Sequence, residues 1–366
     1  MRMARQQNFA EDGDLFKKLP DSIVHHILHF LGLKDYSRLS CVSRRYRELC
    51  VSTPWVTLNN TNLTPRRFLF NNFVDRLLCR RCWHGVKIQN FILIWDFGEF
   101  FENEAYRIDT WFYHVVNLGV QKISIQLTTT RFALPQCVLN CKTMVFLKIM
   151  TKDGILKLPS TSSAAGFGIN TTLQTLVLIS VRIEDINCFG EWLSQFKSLK
   201  VLNLTRVSGI KSMSIHNSSI DVLAIKYCDD LVDITIFAEK LRKLLILWYP
   251  HNKSSSVGSL KILAPNLEDF RWGVGHVVDY YCIEDFSSKL NLIIALGLSD
   301  QLYESSTKYY LHKILRSMQR AKVLTLRDEF VEVNILYSLP FPNHIHSFLF
   351  YLPSMLISSS IKKLKF

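Results

Sequence analysis

From Ile88 onward one short apolar template recurs, and a chain that repeats it this often has few ways to fold. The template is an apolar residue, two of any type, an apolar residue, one of any type and a third apolar residue. It runs through Ile88-Phe91-Leu93, Val120-Ile123-Ile125, Met144-Leu147-Ile149, Leu173-Leu176-Leu178, Leu199-Leu202-Leu204 and Ile220-Leu223-Ile225. It continues through Leu241-Leu244-Ile246, Leu267-Phe270-Trp272, Ile293-Leu296-Leu298, Ala321-Leu324-Leu326, Ile345-Phe348-Phe350 and Ile361-Leu364-Phe366. In a sequence that is 48% hydrophobic, roughly one window in nine matches by accident, so the template alone is weak. Its spacing is not. Successive starts lie 32, 24, 29, 26, 21, 21, 26, 26, 28, 24 and 16 residues apart, a solenoid period. Each unit would give one short parallel strand, template residues inward, and return by a loop or helix on the convex side. Two longer intervals have room for helices, with faces Ile186, Phe189, Leu193, Phe196 and Leu311, Ile314, Leu315, Met318.

Residues 15–55 follow another rule. Leu19, Ile23, Val24, Ile27, Leu28 and Leu31 keep a helical period, with Pro20 suited to the first turn and Gly32 to the stop. A second short helix is predicted over 35–41, with Leu39 and Val42 facing in. Ser43 can cap a third over 44–50, carrying Tyr46 and Leu49 inward before Pro54 breaks it. Three short helices in about forty residues cannot close a sizeable core and lean on a partner or a neighbouring domain.

At these residues the chain resembles an F-box protein. Leu19-Pro20-Asp21-Ser22-Ile23, Ile27-Leu28-X-X-Leu31, Leu33-Lys34-Asp35 and Val42-Ser43-Arg44-Arg45-Tyr46-Arg47 follow the F-box order and spacing. Tyr46 stands where the family usually has Trp, and Gly32-Leu33 replaces a Pro-containing link. With the repeats, the whole resembles the plant F-box and leucine-rich-repeat family. One unit, Ile220-X-X-Leu223-X-Ile225-X-X-Cys228-X-X-Leu231, fits the fuller repeat pattern. The resemblance implies an α/β chain: a small three-helix F-box, then an irregular solenoid with parallel strands on the concave face and helices or loops on the convex face. It divides the chain into a disordered 1–13, an F-box at 14–56, a helical linker or cap at 57–86 and repeats at 87–366, with a turn-rich join at 56–66 and a helix at 67–78 bearing Phe70, Phe73, Val74 and Leu77.

The resemblance further implies a Skp-family adaptor as partner and, through it, a cullin-based ubiquitin ligase. Leu19, Pro20, Ile23, Val24, Ile27, Leu28, Leu31, Leu39, Val42, Ser43 and Tyr46 are the expected adaptor contacts. In such repeats the variable template positions line the concave face: here Lys200, Asn203, Lys226, Arg242, Lys243, Arg271 and Arg327, with Trp248 and Tyr249 after one strand. Arg and aromatic side chains anchor interfaces, so Lys226, Arg242, Lys243, Trp248 and Arg271 are the substrate-binding candidates against an ordinary solvated sheet face. The chain stops on Phe366 inside a repeat, which leaves a covering partner or a truncated form open.

Charge and cysteines bound the rest. Against 31 acidic residues stand 44 Lys and Arg, a net +13. This reads either as a generally basic, solvated surface or as attraction to an acidic partner surface or nucleic acid, the acidic protein partner being the expectation. No basic run exceeds two residues, so a nucleic-acid arm is not expected. Nine cysteines without a framework, no leader and no apolar run of about 18–20 residues point to nucleus or cytoplasm and to no membrane span. Cys79-Arg80-Arg81-Cys82 has half a zinc spacing with His84 alone nearby, and reads as two helix cysteines. His25-His26 reads as a solvated rim. Gly273-Val274-Gly275 lacks a dinucleotide setting, Asp229-Asp230 with Asp233 does not fit a calcium loop, and Glu102 and Glu104 read as a solvated helix face. No metal, cofactor or catalytic set is expected. The function so read is substrate recognition within a Skp–cullin–F-box ligase; the alternative is a repeat scaffold outside any ligase. An enzyme on a solenoid would need acidic clusters on successive turns, and none is visible.

Overall fold

A computed structural model describes residues 19–61, 67–158, 172–184, 188–228, 230–248, 258–274, 280–284, 291–296, 323–327 and 361–365. The chain divides into two compact units, one reaching to Ile123 and one from Ser124.

The first unit opens with α1 (Asp21–His29), α2 (Leu33–Val42) and α3 (Arg44–Ser52). Pro20 fits ahead of α1 because its φ of −58° is already set, and its carbonyl accepts from the Ile23 and Val24 amides. The Ser43 side chain accepts from the Tyr46 amide at 3.2 Å and starts α3. Val24, Leu28, Tyr46, Leu49 and Cys50 form the core of this bundle. Val42, expected inward, is 68% exposed. It ends α2, and Ser43 beside it is fully extended, so the chain turns away before Val42 can pack.

Then come β1 (Trp55–Asn59), α4 (Arg67–Trp83), β2 (Asn90–Trp95) and α5 (Glu102–Asn117). The stretch read as a join is partly a strand. β1 lies parallel to β2 with Val56 opposite Phe91 and Leu58 opposite Leu93, and both β1 residues are buried. Thr53 takes the first apolar position of the template, which hid this unit from the sequence pattern. Asn60 turns inward, its side-chain oxygen accepting from the Asp96 amide at 2.8 Å. Helix α4 runs five residues past the expected end, and its buried stripe is Phe70, Val74, Leu78 and Arg81, at i, i+4 spacing until the last step. Phe73 and Leu77 are only half-buried.

Glu104 is no solvated residue. It is buried in α5, accepts from Arg67 Nε at 2.6 Å, from Asn71 Nδ2 at 2.8 Å and from the Phe101 amide at 2.9 Å, and pairs with Arg67 Nη2. The guanidinium of Arg67 lies 4.0 Å from the Phe101 ring centroid and 5.2 Å from that of Trp95. Helical periodicity cannot show a partner 37 residues away.

In the second unit β3 (Lys122–Leu127) lies at the division, followed by β4 (Arg131–Ala133), α6 (Gln136–Leu139), β5 (Phe146–Lys157), β6 (Thr175–Ile183), α7 (Cys188–Ser194), β7 (Val201–Thr205) and β8 (Ser212–His216). Then come β9 (Val222–Lys226), β10 (Asp233–Phe237), β11 (Lys243–Trp248), β12 (Ser259–Leu263), β13 (Asp269–Val274), β14 (Tyr280–Glu284), β15 (Asn291–Leu296), β16 (Val323–Arg327) and β17 (Ile361–Lys365). The main sheet runs β3-β5-β6-β7-β9-β11-β13-β15-β16-β17, with β4 beside β5. Its register is the template itself: Leu147, Leu176, Leu202, Leu223, Leu244 and Phe270 are aligned, and so are Ile149, Leu178, Leu204, Ile225, Ile246 and Trp272. All three apolar residues of the eight templates from Ile88 to Trp272 are buried.

Several expectations are corrected. A second parallel sheet, β8-β10-β12-β14, stands where loops or helices were expected. The 26-residue interval ahead of Leu199 holds α7, whereas the two intervals of 21 residues leave little room for a helix plus its turns. The returns instead alternate, burying Met213 and Ile215, Ile234 and Ile236, and Leu260 and Ile262. In β15 the residues aligned with Phe270 and Trp272 are Leu292 and Ile294, not Leu296 and Leu298, because that frame has Lys289 at its first position and so breaks the template that Ile293-Leu296-Leu298 satisfies. Strand β17 pairs antiparallel to β16. Helix α7 buries Phe189 and Leu193, with Phe196 just beyond it, as its pattern predicts. Residues 1–13, Ile186, Tyr249 and the segments 311–318 and 345–350 lie outside the described residues. No described helix is long and apolar enough to cross a membrane.

Candidate functional site

Two surfaces emerge from this framework, one in each unit. In the first, the structure sorts the eleven expected adaptor contacts by burial. Val24, Leu28 and Tyr46 belong to the bundle's own core. Leu19, Leu31 and Leu39 are half-buried against it, Ile27 is half-buried, and Ser43 caps α3. Pro20 and Val42 are exposed, as is Ile23 at 47%. Phe30, which the motif reading passed over, is 72% exposed at the end of α1. Ile23, Ile27 and Phe30 stand at i, i+4 and i+7, so they share one stripe of α1. Val24 and Leu28 are the stripe that faces the core. A nine-residue helix that is apolar on both sides has used one side for folding.

Side-chain bonds hold that helix in place. Arg45 Nη2 donates to the Leu19 carbonyl at 2.8 Å and to Asp21 Oδ1 at 3.2 Å, fixing the start of α1 against α3. His25 Nε2 lies 3.0 Å from Ser52 Oγ. At the far end of α3 the buried guanidinium of Arg81 donates to the Thr53 carbonyl at 2.8 Å and the Cys50 carbonyl at 3.3 Å, and the Tyr36 hydroxyl also donates to Cys50 O. Two side chains thus satisfy carbonyls that a helix end leaves open, and the cation sits at the negative end of the helix dipole. Burial pulls Arg81 below its ordinary value and pushes Tyr36 above its own, while the Cys50 thiol is pushed up to about 11, again by burial. In the sequence Arg81 stands out only as the residue between Arg80 and Cys82 of the cysteine pair. Its signal was an arginine in register with Phe70, Val74 and Leu78.

Those cysteines lie on α4 as expected: Cys79 is exposed, and Cys82 Sγ is 3.3 Å from His114 Nδ1. Among the described residues no three potential ligands gather. Asp230 and Asp233 serve neighbouring repeats, accepting from the Gly209 amide at 2.7 Å and from Ser259 Oγ at 2.5 Å; Asp229 lies outside the described residues. Gly273 and Val274 end a strand, and Gly275 lies outside the described residues.

In the second unit the candidate surface is the open face of the main sheet. Residues pointing away from the core fall into three registered rows across β5, β6, β7, β9 and β11. One row is Phe146, Thr175, Val201, Val222 and Lys243. The next is Lys148, Val177, Asn203, Ala224 and Leu245. The third is Met150, Ile179, Thr205, Lys226 and Leu247. Lys243 is exposed and Lys226 half-buried at the end of β9. Arg242 and Arg271 are spoken for: Arg242 holds Asp221 through two bonds of 2.6 Å, and Arg271 holds Asp269 at 3.1 and 2.9 Å. The Arg242 hydrogen bonds keep the Asp221 carboxyl below the usual range, and each arginine is raised in turn by its carboxylate's hydrogen bonds. Trp248 ends β11, and its side chain lies outside the described residues, as does that of Arg327 in β16. Lys200 is exposed just before β7 and Asn203 half-buried within it.

Comparison with known proteins gives two family matches. A model described as F-box-like matches residues 16–60, and one described as At1g61320/AtMIF1, LRR domain, matches residues 80–331. Similar proteins include three from Arabidopsis thaliana. The F-box/FBD/LRR-repeat protein At4g03220 is 27% identical over 268 residues, covering 71% of this chain and 51% of that protein. F-box/LRR-repeat protein 13 is 27% identical over 215 residues, 54% of this chain and 47% of its own length. F-box/LRR-repeat protein At4g14103 is 33% identical over 143 residues, 37% and 36% respectively. The chain spans about half the length, or less, of these relatives.

Proposed function

Because this chain belongs to the plant-type F-box and leucine-rich-repeat family, we propose that it is the substrate-recognition subunit of a Skp–cullin–F-box ubiquitin ligase. Its helical bundle docks a Skp-family adaptor, which joins it to a cullin, and its repeats hold a protein substrate. We place this work in the nucleus or cytoplasm. Proteins of this family are generally adaptor subunits rather than catalysts. On this reading the subunit contributes proximity: it raises the effective concentration of a substrate lysine beside the charged ubiquitin-conjugating enzyme.

The observation that carries the reading is the second apolar stripe of α1. Ile23 and Phe30 are exposed although the core beneath α1 is already closed by Val24 and Leu28. With Pro20 and Val42, also exposed, they leave apolar surface for an outside partner to cover, as so small a bundle requires. Arg45 and Arg81 contribute by positioning, since neither is part of the apolar stripe.

The test is co-purification of the full chain with a Skp-family adaptor. Wild type is expected to capture it. Ile23→Ala is expected to weaken capture by about 1–2 kcal/mol, roughly 5–30-fold in Kd, with an unchanged melting temperature. Wild-type chain that captures no adaptor would leave the non-ligase scaffold instead, and full capture by Ile23→Ala would remove the stripe from the contact.

A further inference from the structure

The sequence led to a basic substrate face, and the structure makes that face largely aliphatic. Val177 and Ile179 on β6, Val222 on β9, and Leu245 and Leu247 on β11 stand on the open face, with β7 between β6 and β9, each half-buried. The five strands from β5 to β11, about 4.8 Å apart, set this floor roughly 20 Å across. That is about the length of a thirteen-residue helix. Sheet faces left open to water usually alternate with polar residues, and this one does not. Its charge is one-sided. The fifteen open-face positions in these strands hold three lysines, Lys148, Lys226 and Lys243, and no carboxylate. Lys243 has Asp221 within electrostatic reach. Among the described residues no carboxylate pairs with Lys148 or Lys226, whereas Arg242 and Arg271 are already neutralised.

We propose that this face takes an apolar protein segment bearing carboxylates. Its aliphatic side chains lie on Ile179, Val222 and Leu245, and its Asp or Glu residues meet Lys148 and Lys226. This rests on the reading of the repeats as a protein-binding region and adds the chemistry of what they hold. The aliphatic floor supplies the larger share of the affinity, because exposed lysine–carboxylate pairs are individually weak. The two lysines select sign and register.

A random library of fifteen-residue peptides panned against the full chain tests it, with enriched peptides measured by fluorescence polarisation. Enriched sequences are expected to combine Leu, Ile or Val with Asp or Glu. Ile179→Asp should weaken them about tenfold or more. Lys226→Glu should weaken them several-fold, and recover when the peptide's acid is changed to Lys. A melting curve and sedimentation run accompany each variant. Peptides that bind Ile179→Asp and Lys226→Glu as well as wild type would overturn the proposal while leaving the repeats as a protein-binding region. A library that enriches nothing would count against both. Unaltered peptide binding with a lowered melting temperature for Ile179→Asp would show the floor covered by this chain itself. A dimer that Ile179→Asp dissolves would assign the floor to a second copy. Either outcome overturns the proposal.

Discussion

Arg81 has no exposed surface, yet it carries a charge whose cost of burial is several kcal/mol unless its donors are used. The Thr53 and Cys50 carbonyls take its two Nη donors, while its Nε has no partner among the described residues. Arg67 is the same solution in another place, with Glu104 supplying the opposite charge. Burial alone would raise the Glu104 carboxyl, but the bonds from Arg67, Phe101 and Asn71 outweigh it and hold the group below the ordinary range. A depressed folded value means the stabilisation is complete above the ordinary glutamate value of about 4.3 and fades as pH falls through the folded value. Acid titration followed by circular dichroism should therefore show wild type losing stability below about pH 4. Glu104→Gln, already about 3–5 kcal/mol less stable at pH 7 by urea denaturation, should show a smaller change in that window. Neither arginine's partners were legible in the sequence. Each joins residues about thirty positions apart, and a charge on a helix gives no sign of which way it faces.

At the scale of elements, local chemistry was readable and direction was not. Pro20, Ser43 and the apolar periods place α1 and α3 within a residue or two, because capping and periodicity are local. The sorting of Val24 from Ile23, one inside and one out, needs the other helices. The repeat strands were legible for a different reason: three buried positions with no exposed alternative tolerate only apolar side chains. Open-face residues such as Val177 and Leu245 fall between them and pass as filler. Return strands are short and alternate, a weak signal beside a helix period. One return turn depends on Gly209, whose φ is +83° and whose missing Cβ would lie 2.5 Å from the Ile183 carbonyl oxygen. Gly209→Ala should destabilise the chain by more than about 1 kcal/mol, read as a lower melting temperature.

For the whole molecule, the division after Ile123 leaves each unit with its own source of stability. The second is a stack in which each strand is buried by its neighbours, so damage should spread along the register. Leu223 is fully buried between Leu202 and Leu244 in the aligned row. Leu223→Ala is expected to cost about 2–5 kcal/mol, and hydrogen exchange should quicken in β7, β9 and β11 ahead of β5. Uniform quickening across the unit would mean that it melts as one block.

In the first unit only Thr53 and Pro54 separate α3 from β1, and Arg81 grips both the Cys50 carbonyl in the last turn of α3 and the Thr53 carbonyl within that step. The helices therefore have no hinge on which to swing against the strand that follows them. Whatever the bundle grasps is presented to that strand at a set angle, like a tool brazed to its handle.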